Sequence, residues 1–425
     1  MKLIFVVIDG MGDLPLEELG YKTPLEAAET PNMDLLARTG TTGLMYTVGK
    51  GIAPESDVAV VSILSYDPFK YKVRRGVFEV LGAGLPMKDG DLALRCNFAT
   101  LGSENKIIDR RVGRSLSTEE ATELAEAINE QIKLESYPAR FQFKNTLGHR
   151  GVLVIRSKEK ALSGNITNTD PAYARIKGVG VADPNAEMVL KKCEPIDTTE
   201  EAKISARLVN EFTQKSIKIL VNHEINQKRG RERKLKANII LVRDAGNNLP
   251  MFPHLNQQYG LRFACLADMP VEIGISRQAG MSVVDLPPPS KSLAKDCELR
   301  SEKMVEALPN YDCFYIHIKG VDEPGHDGDC NLKTRLIATV DKHFVRNMLQ
   351  QINLEETVIC ITADHASPCA LKAHSDDPVP LLISGNKIQG DITENFSENE
   401  CKKGTLGVIP NGTMLMPKLI QYLKE

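Results

Sequence analysis

Three short apolar runs, each closing on residues of the kind that bind metal ions, constrain this chain more than any other feature. Leu3 to Ile8 leads directly into Asp9. Cys313 to Ile318 leads into VDEPGHDG, where Asp322 stands four residues before His326. Val358 to Thr362 leads into TADHASPCALKAH, with Asp364 and His365 adjacent and His374 nine residues beyond His365. The runs are short, apolar and partly β-branched, as buried parallel strands are. A lone Asp-x-x-x-His is ordinarily a pair on a helix surface. Three strand ends that all carry such residues are much harder to reach by chance, and strand ends are where α/β sheets keep their chemistry. Mixed carboxylate and imidazole donors suit Mn²⁺, Zn²⁺ or Mg²⁺, and two such sets suit two ions.

Asp9 then belongs with residues more than three hundred positions later, so the middle of the chain reads as an insertion. The expectation is an α/β protein with a mostly parallel sheet and helices on both faces. Its core would come from 1–83 and 191–425, with a smaller α/β domain inserted at 84–190. Within the core, Thr30-Pro31 marks a helix start over 31–39. A helix is expected at about 199–227, further helices near 292–307 and 331–352, and strands at 238–242 and 263–267. Within the insertion, LALRCNFATL and RGVLVIR read as strands, and Ser117-x-x-Glu120 as the capping box of a helix reaching about 133.

A net charge of −3 gives no global basic field for nucleic acid. The basic stretch KRGRERKLK at 228–236 lacks interleaved aromatics and reads as a solvated loop. The nine cysteines show no CxxC spacing, which argues against disulfides and thiolate zinc sites, and Cys313 and Cys360 read as core residues. The opening apolar run is too short for a signal peptide, and no segment approaches ~20 apolar residues. A cytoplasmic protein without a membrane partner is expected, with homo-oligomerisation left open. The P-loop, G-x-G-x-x-G, G-x-S-x-G and H-E-x-x-H signatures are absent. DEPGHDGD lacks the alternation and closing glutamate of an EF-hand.

Ser56, in APESDVAVV, is the nucleophile candidate. A serine hydroxyl is weak at neutral pH unless a base or a cation activates it. A helix beginning near Asp57 would favour a phosphate carried on Ser56. A serine in this context also reads as a plain helix cap.

IDGMGD at 8–13, PESDVAV at 54–60, VDEPGHDG at 321–328 and ADHASPC with KAH at 363–374 resemble the alkaline-phosphatase superfamily. Within it the chain resembles the archaeal-type 2,3-bisphosphoglycerate-independent phosphoglycerate mutases. RCNFAT, DRRVGR, HRGVLV and TDP extend the likeness over nearly the full length. The resemblance implies that Asp322, His326 and His374 hold one metal ion, and that Asp9, Ser56, Asp364 and His365 hold the other. Mn²⁺ is the first choice, with Zn²⁺, Co²⁺ or Mg²⁺ as alternatives. Ser56 would take the phosphoryl group from a small-molecule phosphoglycerate and return it to the other hydroxyl, with no added 2,3-bisphosphoglycerate. The inserted domain would close over the site and present cations: Arg110, Arg111, Arg114, His149 and Arg150. Asp109 would shuttle a proton, and Arg243 would join from the core side. A phosphatase or phosphotransferase of the same superfamily, acting on another phosphate ester, is the alternative.

Overall fold

A computed structural model describes residues 1–176, 179–182, 186–385 and 388–424, and the chain divides into two compact units, 1–73 with 251–425, and 74–250. In chain order the strands are β1 (Lys2–Ile8), β2 (Thr41–Met45), β3 (Leu92–Leu101), β4 (Ile107–Asp109), β5 (Ala139–Asn145), β6 (Arg150–Ser157), β7 (Tyr173–Ile176) and β8 (Val179–Ala182). They continue with β9 (Ile239–Gly246), β10 (Phe263–Leu266), β11 (Ser282–Val283), β12 (Cys313–Ile318), β13 (Thr357–Thr362), β14 (Val379–Gly385) and β15 (Gly407–Ile409).

The first unit is built on one sheet of order β11-β10-β12-β1-β13-β14-β2-β15. Its left half, through β13, is parallel, whereas β14 pairs antiparallel with both β13 and β2. The three runs singled out in the sequence are adjacent here. Leu3 pairs with both Cys313 and Val358, and the ladders end at Ile8↔Ile318 and Val7↔Thr362. Their carboxyl ends are therefore level, and the residues that follow emerge on one edge. All three strands are buried along nearly their whole length, which fits their unbroken apolar character. The helix expected at 31–39 forms at Pro31–Thr39, although Thr30 bonds the Asp34 side chain rather than a backbone N–H. No helix among the described residues is long and apolar enough to cross a membrane.

The second unit is an antiparallel sheet in which β3 lies between β6 and β9, β5 pairs with β6, and β4 pairs with the far end of β3. β7 and β8 form a separate two-stranded antiparallel sheet. The helix Thr118–Gln131 begins with the expected capping box.

Several boundaries differ from the expectation. The strand and the long helix assigned to the core at 238–242 and 199–227 belong to the second unit, which spans 74–250 rather than 84–190. β9 pairs with β3 from Ala93↔Gly246 to Ala99↔Ile239. Leu208, Val209 and Phe212 of the helix Glu200–Asn222 join Phe98, Phe143 and Leu153 in one apolar core. An apolar strand states that it is buried but not which strand it pairs with. The helix also stops at Asn222, because the ring of His223 caps a new helix, Glu224–Arg231. That helix occupies part of the stretch read as a solvated loop. Arg229 is buried in it, donating to Leu235 O (2.8 Å), Glu120 Oε2 (2.7 Å) and Ser115 Oγ (2.7 Å).

Candidate active site

The level strand ends of the first unit bring two carboxylate–imidazole clusters together. In one, Asp322 opens the helix Asp322–Asp327 and His326 lies one turn on. His326 Nε2 is 3.3 Å from Asp322 Oδ2, and His374 Nε2 is 3.6 Å from Asp322 Oδ1 and 3.1 Å from His326 Nε2. In the other, His365 Nε2 lies 3.6 Å from Asp9 Oδ1 and 3.3 Å from Asp364 Oδ2. In each cluster the three ligand atoms lie within 4.8 Å of one another. The clusters adjoin, since the rings of His365 and His374 stack at 3.7 Å and His365 Nδ1 is 4.0 Å from Asp322 Oδ1.

Gly10 permits this approach. It sits at φ +62°, and a Cβ there would come within 2.6 Å of Asp322 Oδ1. Its N–H donates to Asp364 Oδ1 at 3.1 Å, which aims the other oxygen of Asp364 into the cluster. Ser56 is the first residue of the helix Ser56–Ile63, with Glu55 in the cap position. Its hydroxyl is therefore not the cap and instead lies 3.3 Å from His365 Nε2.

The two clusters carry different charge. Burial works against ionisation of Asp322 and His374, yet their pairing prevails. Asp322 is held well below the usual carboxylate range and His374 is raised to about 9. In the buried cluster, desolvation and the His374 charge lower His365 to about 3. Burial and the neighbouring Asp9 charge push Asp364 up to about 7. Asp9 stays ionised against its burial because the Lys319 ammonium stands 3.0 Å from Oδ1. That approach is a charge contact only. Asp9 Oδ1 and Asp364 Oδ2 are buried and accept no hydrogen bond. Buried carboxylate oxygens that accept no hydrogen bond favour a further cation, so the donor set fits a divalent ion.

Three groups beside Asp9 carry no sequence motif. Lys319 also reaches Glu272 Oε1 at 2.8 Å, and His317 Nε2 is 3.7 Å from Asp9 Oδ1 and 3.8 Å from Glu272 Oε1. Tyr315 OH meets His317 Nδ1 at 2.7 Å. One signal was available: Tyr315 and His317 in the otherwise apolar β12, and Lys319 just past its end, are polar-tipped residues at period two.

The family model described as 2,3-bisphosphoglycerate-independent phosphoglycerate mutase matches residues 37–226. A protein of that name from Aeropyrum pernix is 43% identical, with 100% of each chain covered. One from Thermococcus kodakarensis is 40% identical, covering 100% of this chain and 98% of its own. The chain belongs to this family. Among solved structures, the PH0037 protein of Pyrococcus horikoshii superposes with a TM-score of 0.78 at 31% identity, covering 100% of this chain and 97% of that one. The cofactor-independent phosphoglycerate mutase of Thermoplasma acidophilum gives 0.62 at 29% identity, with 100% of both chains covered.

The remaining residues singled out in the sequence lie in the second unit. Arg110 forms a bidentate pair with Asp170 (2.7 and 2.6 Å), and Arg243 reaches the same carboxylate at 2.9 Å while stacking 4.1 Å over the Tyr173 ring. Arg243 thus belongs to this unit, on β9, and not to the core side. Burial and the nearby charges of Arg150, Arg111, Arg95 and Arg243 lower His149 to about 3. Arg111 and Arg114 are exposed. Asp109 Oδ1 accepts from Arg111 N at 2.7 Å and Gly113 N at 2.8 Å, so that oxygen shapes the turn. Asp170, Arg95 and Tyr173 were not singled out, although Asp170 lies in the TDP segment.

Proposed function

We propose that the chain interconverts 3-phosphoglycerate and 2-phosphoglycerate through a phosphoserine at Ser56, without added 2,3-bisphosphoglycerate. It is then an isomerase that works by intramolecular phosphoryl transfer. The observation that carries the reading is Ser56 Oγ, at a helix start, 3.3 Å from an imidazole that belongs to one of two adjoining carboxylate–imidazole clusters.

Asp322, His326 and His374 would hold one divalent cation, and Asp9, Asp364 and His365, with Ser56, the other. Such cations would neutralise phosphoryl charge and lower the pKa of the serine hydroxyl. Mn²⁺ is our first choice, because mixed N/O donors without thiolate favour it over soft-ligand chemistry, and Zn²⁺, Co²⁺ and Mg²⁺ remain compatible.

In the first transfer, Ser56 Oγ gives up its proton and bonds to phosphorus, the bond from phosphorus to the C3 oxygen breaks, and that oxygen takes up a proton. In the second, the C2 hydroxyl gives up its proton and its oxygen bonds to phosphorus, the Ser56 Oγ–phosphorus bond breaks, and Oγ takes a proton back. Ser56 opens the helix Ser56–Ile63, and the positive end of the helix dipole favours an anionic serine substituent there. The guanidinium-rich group around His149 and Arg243 fits an anionic substrate, since Arg forks match carboxylate and phosphate alike.

The test is product analysis by ³¹P NMR with 3-phosphoglycerate as the only phosphate. Formation of 2-phosphoglycerate, abolished by chelation and restored by Mn²⁺, is expected. Glycerate and inorganic phosphate as main products would replace the mutase by the phosphatase alternative. Undiminished turnover after chelation would remove the two-cation site.

A further inference from the structure

Ser367 lies between the two clusters, and neither its sequence context nor the family assignment gives it a role. It is fully buried. Its Oγ is 3.1 Å from His365 Nδ1 and donates to Asp322 Oδ1 at 2.5 Å. The serine hydroxyl donates to the Asp322 carboxylate, so its one proton is committed there. The same oxygen then has only lone pairs to offer His365, which must place its proton on Nδ1. His365 Nε2 is left bare, and it is the nitrogen that faces Asp9, Asp364 and Ser56.

We propose that Ser367 is a positioning residue that sets the tautomer of His365 and couples the two cation clusters through one hydroxyl. The chain runs from His365 Nδ1–H to Ser367 Oγ, and from Ser367 O–H to Asp322 Oδ1. A ligand to one cation is thereby oriented by a ligand to the other. Partners of this kind, behind a metal-binding imidazole, hold its ring and raise its basicity.

The backbone of Ser367 is fixed for the task. Its N–H donates to Gly12 O at 2.9 Å, and its carbonyl accepts from Lys333 Nζ at 2.8 Å. Lys333 is itself fully buried, donating to Gly12 O at 3.1 Å and Asp13 Oδ2 at 2.8 Å. Both oxygens of Asp13 face Cys369 N at 3.2 Å, which closes the turn on the far side of Ser367. Gly325 keeps the other wall open, because a Cβ there would lie 2.4 Å from Ser367 O. A buried ion pair thus clamps the main chain on which the hydroxyl is carried, and the hydroxyl has little freedom to turn elsewhere.

The inference rests on the two-cation reading, and the experiment separates the two. Mn²⁺ binding to the full chain is titrated calorimetrically for the wild type, Ser367→Ala and Ser367→Thr, with melting curves to confirm folding. The wild type should bind two ions. Ser367→Ala should lose about tenfold or more in affinity at both sites, as loss of such partners does. Ser367→Thr keeps the hydroxyl and should stay within about threefold of the wild type, a rescue on the same footing. Two unchanged Mn²⁺ affinities in Ser367→Ala overturn the coupling while leaving the two-cation reading intact. No binding by the wild type overturns the two-cation reading itself. Should the alanine variant fail to fold, the imidazole ¹⁵N shifts of His365 in the wild type decide. A proton on Nδ1 supports the chain of bonds, and a proton on Nε2 overturns it.

Discussion

Ser56→Ala separates the chemistry from the fold. The Ser56 hydroxyl is nearly buried and makes one hydrogen bond, to His365 Nε2 at 3.3 Å, while the cap position of its helix is held by Glu55. Removing it leaves helix capping unchanged. The loss is one neutral bond, about 1 kcal/mol, with at most a comparable penalty for the imidazole nitrogen left without a donor. For a unit of this size that amounts to a Tm decrease of roughly 2–8 °C. The catalytic loss is of another order. With no oxygen to carry the phosphoryl group, both transfers fail, and deleting a nucleophile in comparable two-step enzymes costs on the order of 10⁴–10⁶ in kcat. The assay pairs a melting curve with the rate of 2-phosphoglycerate formation, and with Mn²⁺ titration to show that the clusters persist. Residual activity should be slow release of inorganic phosphate, water being the acceptor that remains. Mutase turnover above a tenth of the wild-type rate in folded, Mn²⁺-loaded Ser56→Ala would falsify the phosphoserine route.

Glu398 is buried, accepts from Thr23 Oγ1 at 2.6 Å, and is pushed by desolvation up to about 7 from the ordinary 4.5. The folded state therefore holds its proton more tightly than the unfolded chain, so its contribution is fully present below about 4.5 and fades as pH rises through about 7. Wild-type Tm should accordingly fall relative to Glu398→Gln across that window, and parallel Tm profiles would refute the assignment. In the second unit, Asp170→Ala leaves Arg110 and Arg243 facing each other without their shared carboxylate, and should cost about 3–5 kcal/mol in urea unfolding. A cost below about 1 kcal/mol would show that the arginines find other partners.

The clusters were legible in the sequence for a geometric reason. β1, β12 and β13 pair in register, so three apolar runs of similar length end at one level and the next residues meet. Motif spacing after each run then sufficed to find Asp9, Asp322, His326, Asp364, His365 and His374. The partner of β9 was not legible. NIILV reads as buried strand in either unit, and only the pairing with β3 decides. Lys319, Glu272 and His317 were missed because they meet through a strand and a separate helix, Pro270–Gln278, with no fixed spacing between them. Arg110 and Arg243 were noticed as cations, but their common anchor, Asp170, becomes evident only when both guanidiniums converge on it.

The two clusters are chemically unequal, and the inequality explains where the nucleophile sits. Around Asp322 the charge is met by imidazoles, His374 being protonated up to about 9, so a cation there must compete with a proton. His326 is exposed to solvent, which gives that proton a way out. Around Asp9 the charge is met by Lys319, while burial keeps His365 neutral down to about 3. A neutral imidazole with a bare Nε2 needs no proton removed before it can coordinate. Ser56 approaches this second cluster, 3.3 Å from that nitrogen, where a cation held by His365, Asp9 and Asp364 would lower the pKa of its hydroxyl. Placed against His374 instead, the serine would adjoin the cluster whose cation must first displace a proton.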